Sequence, residues 1–328
     1  MHISSITVVI NEEDYIYYAL KSVYDAVDSI IIVEGAARRR FGTNAVRDGY
    51  LTSEGLSGDG TQSEIQRLLR EDTEKKITYI RSGWAGSVNE LRQIALGSVP
   101  LDTDYCFVVD ADALYLEEEI HKLREIVSRN PNIWMISCNE LMFFWDMNHI
   151  LTVPENQLEA CNYQESSLFW RFSNDVFMRG QKPFLIYKDG TEKMQNCLYK
   201  ASSIDEAASH NRAVYLCSPG GDFYSYHFGW VHSPKKTEGH LLRIAHAQLD
   251  SISSGKIGNW SKDFSRLVGA SDKEILDWYR TYHKLWTGLF DETVGEHLEE
   301  FTGTYPEVIK SHPYFGKTKD EIGWTESW

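Results

Sequence analysis

Long apolar runs are missing from this chain. The first hydrophobic stretch, residues 6–10, is followed at once by Asn11-Glu12-Glu13, and nothing approaches the roughly 18 apolar residues of a membrane span. Neither a signal peptide nor membrane insertion is expected. Cysteine is sparse and unpatterned. Cys106, Cys138, Cys161, Cys197 and Cys217 make an odd count with no C-x-x-C pair and no zinc-finger spacing, which excludes a disulfide scaffold and fits a soluble, cytoplasmic protein. Basic charge is in deficit, 33 Lys and Arg against 48 Asp and Glu for a net of −15. That sign opposes any protein whose main task is gripping a phosphate backbone, so strong general nucleic-acid binding is not expected. Proline (8) and glycine (23) are too few among 328 residues for a collagen-like or low-complexity chain. Absent too are G-x-S-x-G, P-loop, H-E-x-x-H and G-x-G-x-x-G motifs in strand–turn–helix context.

What is present is alternation. The β-branched run at 6–10 reads as a buried strand, and Ile16, Ala19, Leu20, Val23 and Val27 then follow helical spacing. A second strand at 29–33 ends at Glu34-Gly35, and residues 36–60, with Arg38-Arg39-Arg40, read as a long loop. Thr61 to Glu64 and Ser87 to Glu90 have capping-box spacing and open two helices around a third strand at 77–80. A fourth strand, 105–109, runs into Asp110-Ala111-Asp112, and Ile120, Leu123, Ile126 and Val127 mark the helix after it. A strand at 134–138 follows, then short strands and loops over 150–235. Leu241, Ala245, Leu249 and Ile252 predict a helix, and Ser271 to Glu274 caps another containing Ile275, Trp278, Tyr282, Leu285 and Leu289. Strand–helix alternation implies a mostly parallel sheet with helices on both faces, and ligands then bind at the carboxyl ends of the strands.

Two carboxylates at i and i+2, directly after an apolar strand, can both reach a cation beyond the sheet edge. Hard cations such as Mn²⁺ or Mg²⁺ take oxygen ligands and bridge to phosphate. The Asp110-Ala111-Asp112 motif therefore reads as a metal–diphosphate site, against a bland reading as a solvated turn.

Residues 6–10 with Asn11-Glu12, the strand ending at Glu34, Ser57-Gly58-Asp59-Gly60-Thr61, the 86–92 segment and Asp110-Ala111-Asp112 occur in an order that resembles a GT-A fold glycosyltransferase of the family 2 type. The resemblance implies an α/β GT-A fold, Rossmann-like, with a mostly parallel central sheet and flanking helices, plus a helical C-terminal extension. It divides the chain into a glycosyltransferase domain, 1–235, and the extension, 236–328. Within the first, 1–130 is the nucleotide-sugar half and 131–235 the acceptor half. Carried over, Glu34 takes the nucleoside role, Asp110 the ribose or metal, and Asp112 the metal, while Asn11, Asp59, Asn89 and Arg92 line the donor site. The chain departs from the family in having Glu34-Gly35-Ala36 where Asp-Asp-Gly-Ser is usual, and in inserting about 20 residues before Asp59.

In the segment Tyr226-His227-Phe228-Gly229-Trp230, His227 is a candidate second metal ligand; imidazole with carboxylate suits Mn²⁺. The alternative is a core histidine within an aromatic cluster. His232 is a weaker candidate. Lys235, with Lys236, would neutralise a departing diphosphate. Glu140 is the nearest candidate base for the acceptor hydroxyl, ahead of Asp146, Asp175 and Asp189. Most large aromatics, Trp84, Phe143, Phe144 and Trp145 included, read as core. The expectation is a metal-dependent transfer of sugar from a nucleotide-diphosphate sugar, a UDP-sugar by preference, to an acceptor the sequence does not identify. A sugar nucleotidyltransferase or a non-catalytic nucleotide- or carbohydrate-binding module is the alternative.

Overall fold

The computed structural model of the protein describes residues 1–38, 46, 49–152, 167–172, 176–179, 182–186, 192–193, 199–201, 203–210, 213–216, 223–253, 264–282 and 298–324. Apolar, largely β-branched runs form β1 (Ile3–Val9), β2 (Ser29–Glu34), β3 (Ile77–Arg81) and β4 (Tyr105–Val108), linked by α1 (Ile16–Tyr24), α2 (Thr61–Glu71) and α3 (Val88–Gly97). β1 lies parallel between β2 and β4, with β3 parallel outside β2. Alternate side chains enter two layers. Ile30 and Ile32 pack with Ile16, Leu20 and Val23 of α1 on one face; Ile31 and Val33 meet Leu91 and Ala95 of α3 on the other. A strand covered on both faces reads as an unbroken apolar run, which is why β2 and β4 were legible, while β3, at the end of the sheet order, is only half-buried.

β5 (Ala113–Leu114), α4 (Glu117–Arg129), β6 (Ile133–Phe144) and β7 (His149–Leu151) come next. β8 (Ser167–Arg171) inserts antiparallel between β4 and β6. β9 (Val176–Arg179), β10 (Lys182–Ile186) and β11 (Glu192–Lys193) form a separate three-stranded sheet. β12 (Tyr199–Ala201), α5 (Ile204–Ser209) and β13 (Ala213–Leu216) extend the main sheet, giving the order β12-β13-β6-β8-β4-β1-β2-β3. Of these eight, β8 alone runs against the rest. This is the expected α/β architecture, a mostly parallel sheet flanked by helices.

β6 is longer than the sequence suggested. The expected strand at 134–138 is only its inner half, which pairs with β8 and β13. Its outer half continues to Phe144 because β14 (Tyr224–Trp230) lies parallel beside it, Asn139 opposite Tyr224 and Met142 opposite His227. Thr61 is also not a cap. Gly60 precedes the helix, and the Thr61 hydroxyl donates to Asp59 at 2.5 Å while accepting from the Glu12 N–H at 2.7 Å. At Ser87 only half the box forms: its hydroxyl accepts from Glu90 N–H, but Glu90 turns to Gly86 N–H. Ser271 and Glu274 make both bonds.

The tail contains α6 (Pro234–Ser253), α7 (Asp272–Tyr282), β15 (Leu298–Glu300) and α8 (Lys319–Ile322). Leu285 and Leu289, like Cys161, Cys197, Cys217, Asp175, Asp189, Arg39 and Arg40, lie outside the described residues; Cys106 and Cys138 are buried. Ile309, Ile322 and Trp324 enter the same core as α1. The His312 ring lies 4.8 Å from the Tyr15 ring at an interplanar angle of 2°. Its Nδ1 accepts from Tyr314 N–H at 3.0 Å, so Nε2 carries the proton and donates to the Asp14 carbonyl at 2.9 Å. A second proton would displace the Tyr314 contact, and burial lowers the pKa to about 4.

Between an unfolded pKa near 6.5 and the native value, acid is taken up by the unfolded chain and refused by the native one. Stability should therefore fall as pH drops from about 6.5 to 4, by up to about 1.4 kcal/mol per pH unit from this one group. Urea unfolding across that window should show a shallower decline for His312→Phe, which keeps a ring on Tyr15 but cannot titrate. Equal slopes for the two proteins would contradict this assignment.

Candidate functional site

In an open parallel sheet the ligand crevice lies beyond the carboxyl ends of the strands, where the chain reverses its direction of winding. Here β1, β2 and β3 step one way and β4 returns to the other side of β1, so the switch point falls between the ends of β1 and β4. Asn11 and Glu12 follow the first of these strands; Asp110 and Asp112 follow the second.

β5 and β14 bring the distant histidine to this place. His227 is opposite Ala113 in that antiparallel pair, and Phe228 N–H donates to the Asp112 carbonyl at 2.9 Å. The imidazole Nε2 lies 3.5 Å from Asp112 Oδ2, and Nδ1 lies 3.7 Å from Glu140 Oε1. Asp112 and His227 side chains are each 21% exposed and Glu140 only 7%. Gly229 makes the approach possible. A Cβ there would sit 2.5 Å from His227 Cε1 and 2.6 Å from Asp112 Oδ2.

The pocket of charge is strongly negative. Burial pushes Asp110 up to about 6, helped by the nearby Asp112 and Glu140 carboxylates and opposed by Arg92 and His227. Burial works against a charged His227, but Asp112, Glu140 and Asp110 outweigh it and raise the imidazole to about 9. Among the described residues, no three His, Cys, Asp or Glu side chains are grouped to hold a metal ion by themselves. Asp112 and His227 offer one oxygen and one nitrogen facing each other.

Other residues singled out by sequence have different surroundings. Asn11 is buried with a positive φ of 54°. Its Oδ1 accepts from Gly58 N–H at 2.9 Å and its Nδ2 donates to the Tyr50 carbonyl at 2.7 Å, clasping the inserted loop. Glu34 is buried beneath the same loop; its carboxylate accepts from Ser57 N–H at 2.8 Å and from the Tyr79 hydroxyl. Burial and that bond raise the Tyr79 pKa. Asp59 Oδ1 accepts from Thr61 N–H at 3.0 Å. Asn89 and Arg92 are half-buried on α3, Arg92 being near enough to oppose the rise at Asp110. Arg38 is exposed, its guanidinium 4.9 Å from the centre of the Trp84 ring.

Lys235 is exposed, whereas Lys236, in the first turn of α6, turns inward. Its Nζ is 3.0 Å from Asp14 Oδ2 and 3.9 Å from Asp59 Oδ2. Burial disfavours its charge, yet Glu12, Asp14 and Asp59 raise its pKa. Asp14 Oδ2 is also 2.9 Å from His232 Nδ1. Burial acts to raise Asp14, but His232 and Lys236 hold it well below the usual carboxylate range. Asp14 escaped the sequence reading because its partners lie more than 200 residues away; the only local sign was His232 beside the lysine pair.

No family model and no curated protein matches the sequence. Among solved structures the chain is similar to S. aureus TarS 1-349, at 13% identity over 86% of this chain and 72% of that one, with a TM-score of 0.40. It is similar to the mannosyltransferase PcManGT from Pyrobaculum calidifontis in complex with GDP-Man and Mn²⁺, at 11% identity over 87% and 77% of the two chains, TM-score 0.41. Glucosyl-3-phosphoglycerate synthase from Mycobacterium tuberculosis, in complex with Mn²⁺, UDP-Glc and phosphoglyceric acid, is similar over 42% of this chain and 44% of that one, at 14% identity and a TM-score of 0.29. Likenesses this distant carry no argument for activity, which rests on the site's own geometry.

Gly229→Ala is expected to force His227 and Asp112 apart. With less of the Asp112 charge at the ring, the His227 pKa should fall from about 9, which an NMR pH titration of the imidazole reads directly. A titration unchanged from wild type would show that the pair does not depend on the missing Cβ.

Proposed function

We propose that the protein is a metal-dependent glycosyltransferase that uses a nucleotide-diphosphate sugar, with a UDP-sugar as the preferred donor. The observation that carries this reading is the convergence of Asp110, Asp112 and His227 at the switch point of a parallel sheet, from segments 115 residues apart in sequence.

The residues present fit a divalent cation. Asp112 Oδ2 and His227 Nε2 are 3.5 Å apart, and when the neutral imidazole carries its proton on Nδ1 both present lone pairs to a cation between them. Two ligands at about 2.1 Å and a right angle stand roughly 3 Å apart, so a small closure suffices. Two protein ligands are also the usual complement for a hard cation that completes its shell with water and diphosphate oxygens. Asp112 and His227 would hold it. When bound, such an ion supplies Lewis-acid stabilisation of the departing diphosphate.

The chain's own residues supply the rest. Asp110, held between burial and Arg92, faces the same crevice and suits the ribose hydroxyls or the metal's outer shell. Arg92 contributes the fixed positive charge on the α3 side. Asn11 and Glu34 fix the inserted loop that walls the nucleoside end, acting on the donor through the loop they hold. Lys236 brings a mostly buried cation beside Asp14 and Asp59. Asn11-Glu12-Glu13 after β1, in place of a glycine-rich basic loop, favours glycosyl over nucleotidyl transfer.

Because a ligating imidazole must be neutral and the surrounding carboxylates raise His227 to about 9, Mn²⁺ binding near pH 7 is expected to release close to one proton. Calorimetry in buffers of different ionisation enthalpy measures this, and His227→Ala should abolish it. Mn²⁺ should also strengthen UDP-sugar binding, an effect that Asp112→Ala removes. Equal donor affinity in Mn²⁺ and in chelator would sink the metal-site reading.

A further inference from the structure

Glu140 is nine-tenths covered and sits on β6 two positions before Met142, the residue opposite His227. In a parallel ladder, positions two apart share a face, so Glu140 and His227 point to the same side of the small outer sheet. The imidazole therefore stands between two carboxylates: Asp112 at Nε2, 3.5 Å away, and Glu140 at Nδ1, 3.7 Å away. Asp112, on the Nε2 flank, is 21% exposed, and Glu140, on the Nδ1 flank, 7%.

We infer that Glu140 is a positioning residue, which fixes the His227 ring and its tautomer for metal binding, and not the base that meets the acceptor. This rests on the metal reading proposed above. A histidine that ligates through one nitrogen must carry its proton on the other, and an acceptor there sets the tautomer and increases the ligand's basicity. The Nδ1 atom has two neighbours that compete for it. Gly229 N–H, at 3.4 Å, suits a bare nitrogen; the Glu140 carboxylate suits a protonated one. The contact with Gly229 is long and neutral, whereas Glu140 brings a full charge into a mostly buried place; when a cation takes the Nε2 lone pair and the Asp112 charge, the proton that the ring keeps stays on Nδ1, on the Glu140 side. A base, by contrast, has to reach the acceptor hydroxyl itself. Glu140 has an oxygen 3.7 Å from the histidine Nδ1 and only 7% of its side chain exposed to a second molecule.

The experiment is Mn²⁺ binding by calorimetry to the full chain, without donor, in wild type, Glu140→Gln, Glu140→Leu and His227→Ala. Gln keeps an acceptor oxygen but drops the charge; Leu removes both. Affinity should weaken about 10-fold for Gln and nearer 100-fold for Leu, the range found when such outer partners are removed. The visible bands of the Co²⁺-loaded protein should shift in both variants, because the imidazole that remains is a weaker and less fixed ligand. Circular dichroism and urea unfolding control for the fold; should Glu140→Leu not fold, Glu140→Asp takes its place and should fall between wild type and Gln. Wild-type Mn²⁺ affinity and Co²⁺ bands in Glu140→Gln, with turnover lost, would overturn the inference and make Glu140 the base. Wild-type Mn²⁺ affinity in His227→Ala is a different failure: it removes the metal role of His227, and the positioning role of Glu140 with it.

Discussion

β6 changes partners along its length, and the candidate site exists because it does. Its inner half is held by β8 and β13 in the main sheet, its outer half by β14. That second pairing sets His227 opposite Met142, and the short β5 ladder then locks His227 against the residue after Asp112. The core supports the same geometry. Phe143 on β6 stacks on Phe228 of β14 at 4.4 Å between ring centres, and Phe228 in turn faces Tyr15 at 5.7 Å. Side chains on alternate positions of one strand thus serve packing and chemistry in turn.

Around this frame the protein gathers more negative charge than it neutralises. Glu12, Asp14, Asp59, Asp110, Asp112 and Glu140 lie at or near one sheet edge, against Arg92, Lys236 and His227 as cations. Burial, with the neighbouring carboxylates, elevates Asp110, whereas at His227 the same carboxylates outweigh burial, which acts the other way. On the function proposed above, such a site would favour a multivalent cation and resist an anionic ligand arriving alone, so that metal and diphosphate would bind best together.

The first half of the fold was legible because strands covered on both faces are continuous apolar runs, and because helices on such a sheet keep a clean stripe of apolar residues. Asp110 and Asp112 could be read for the same reason, since the strand before them points to the edge. The roles of Asn11 and Glu34 were harder. Their side chains are used up by Ser57, Gly58, Tyr50 and Tyr79, and which loop folds back over a strand end has no local pattern. The extension of β6, the inward turn of Lys236 and the Asp14–His232 pair depend on partners from β14 onward, and a sequence window cannot contain them.

The docking of the tail has a consequence for how the chain is made. Tyr15 is fully buried, yet one of the rings that cover it, His312, is joined to Asp14 across 298 positions of sequence. At about 5–20 residues per second, ribosomal synthesis separates the two by roughly 15–60 s. Throughout that interval the tyrosine-rich face of α1 has only part of its final cover, however quickly β1, β2 and the first helices assemble. The nascent protein must therefore hold a half-built α/β unit with an aromatic surface open to the solvent. Closing that cover is a long-range contact, formed only after a loop of about 300 residues has been brought together.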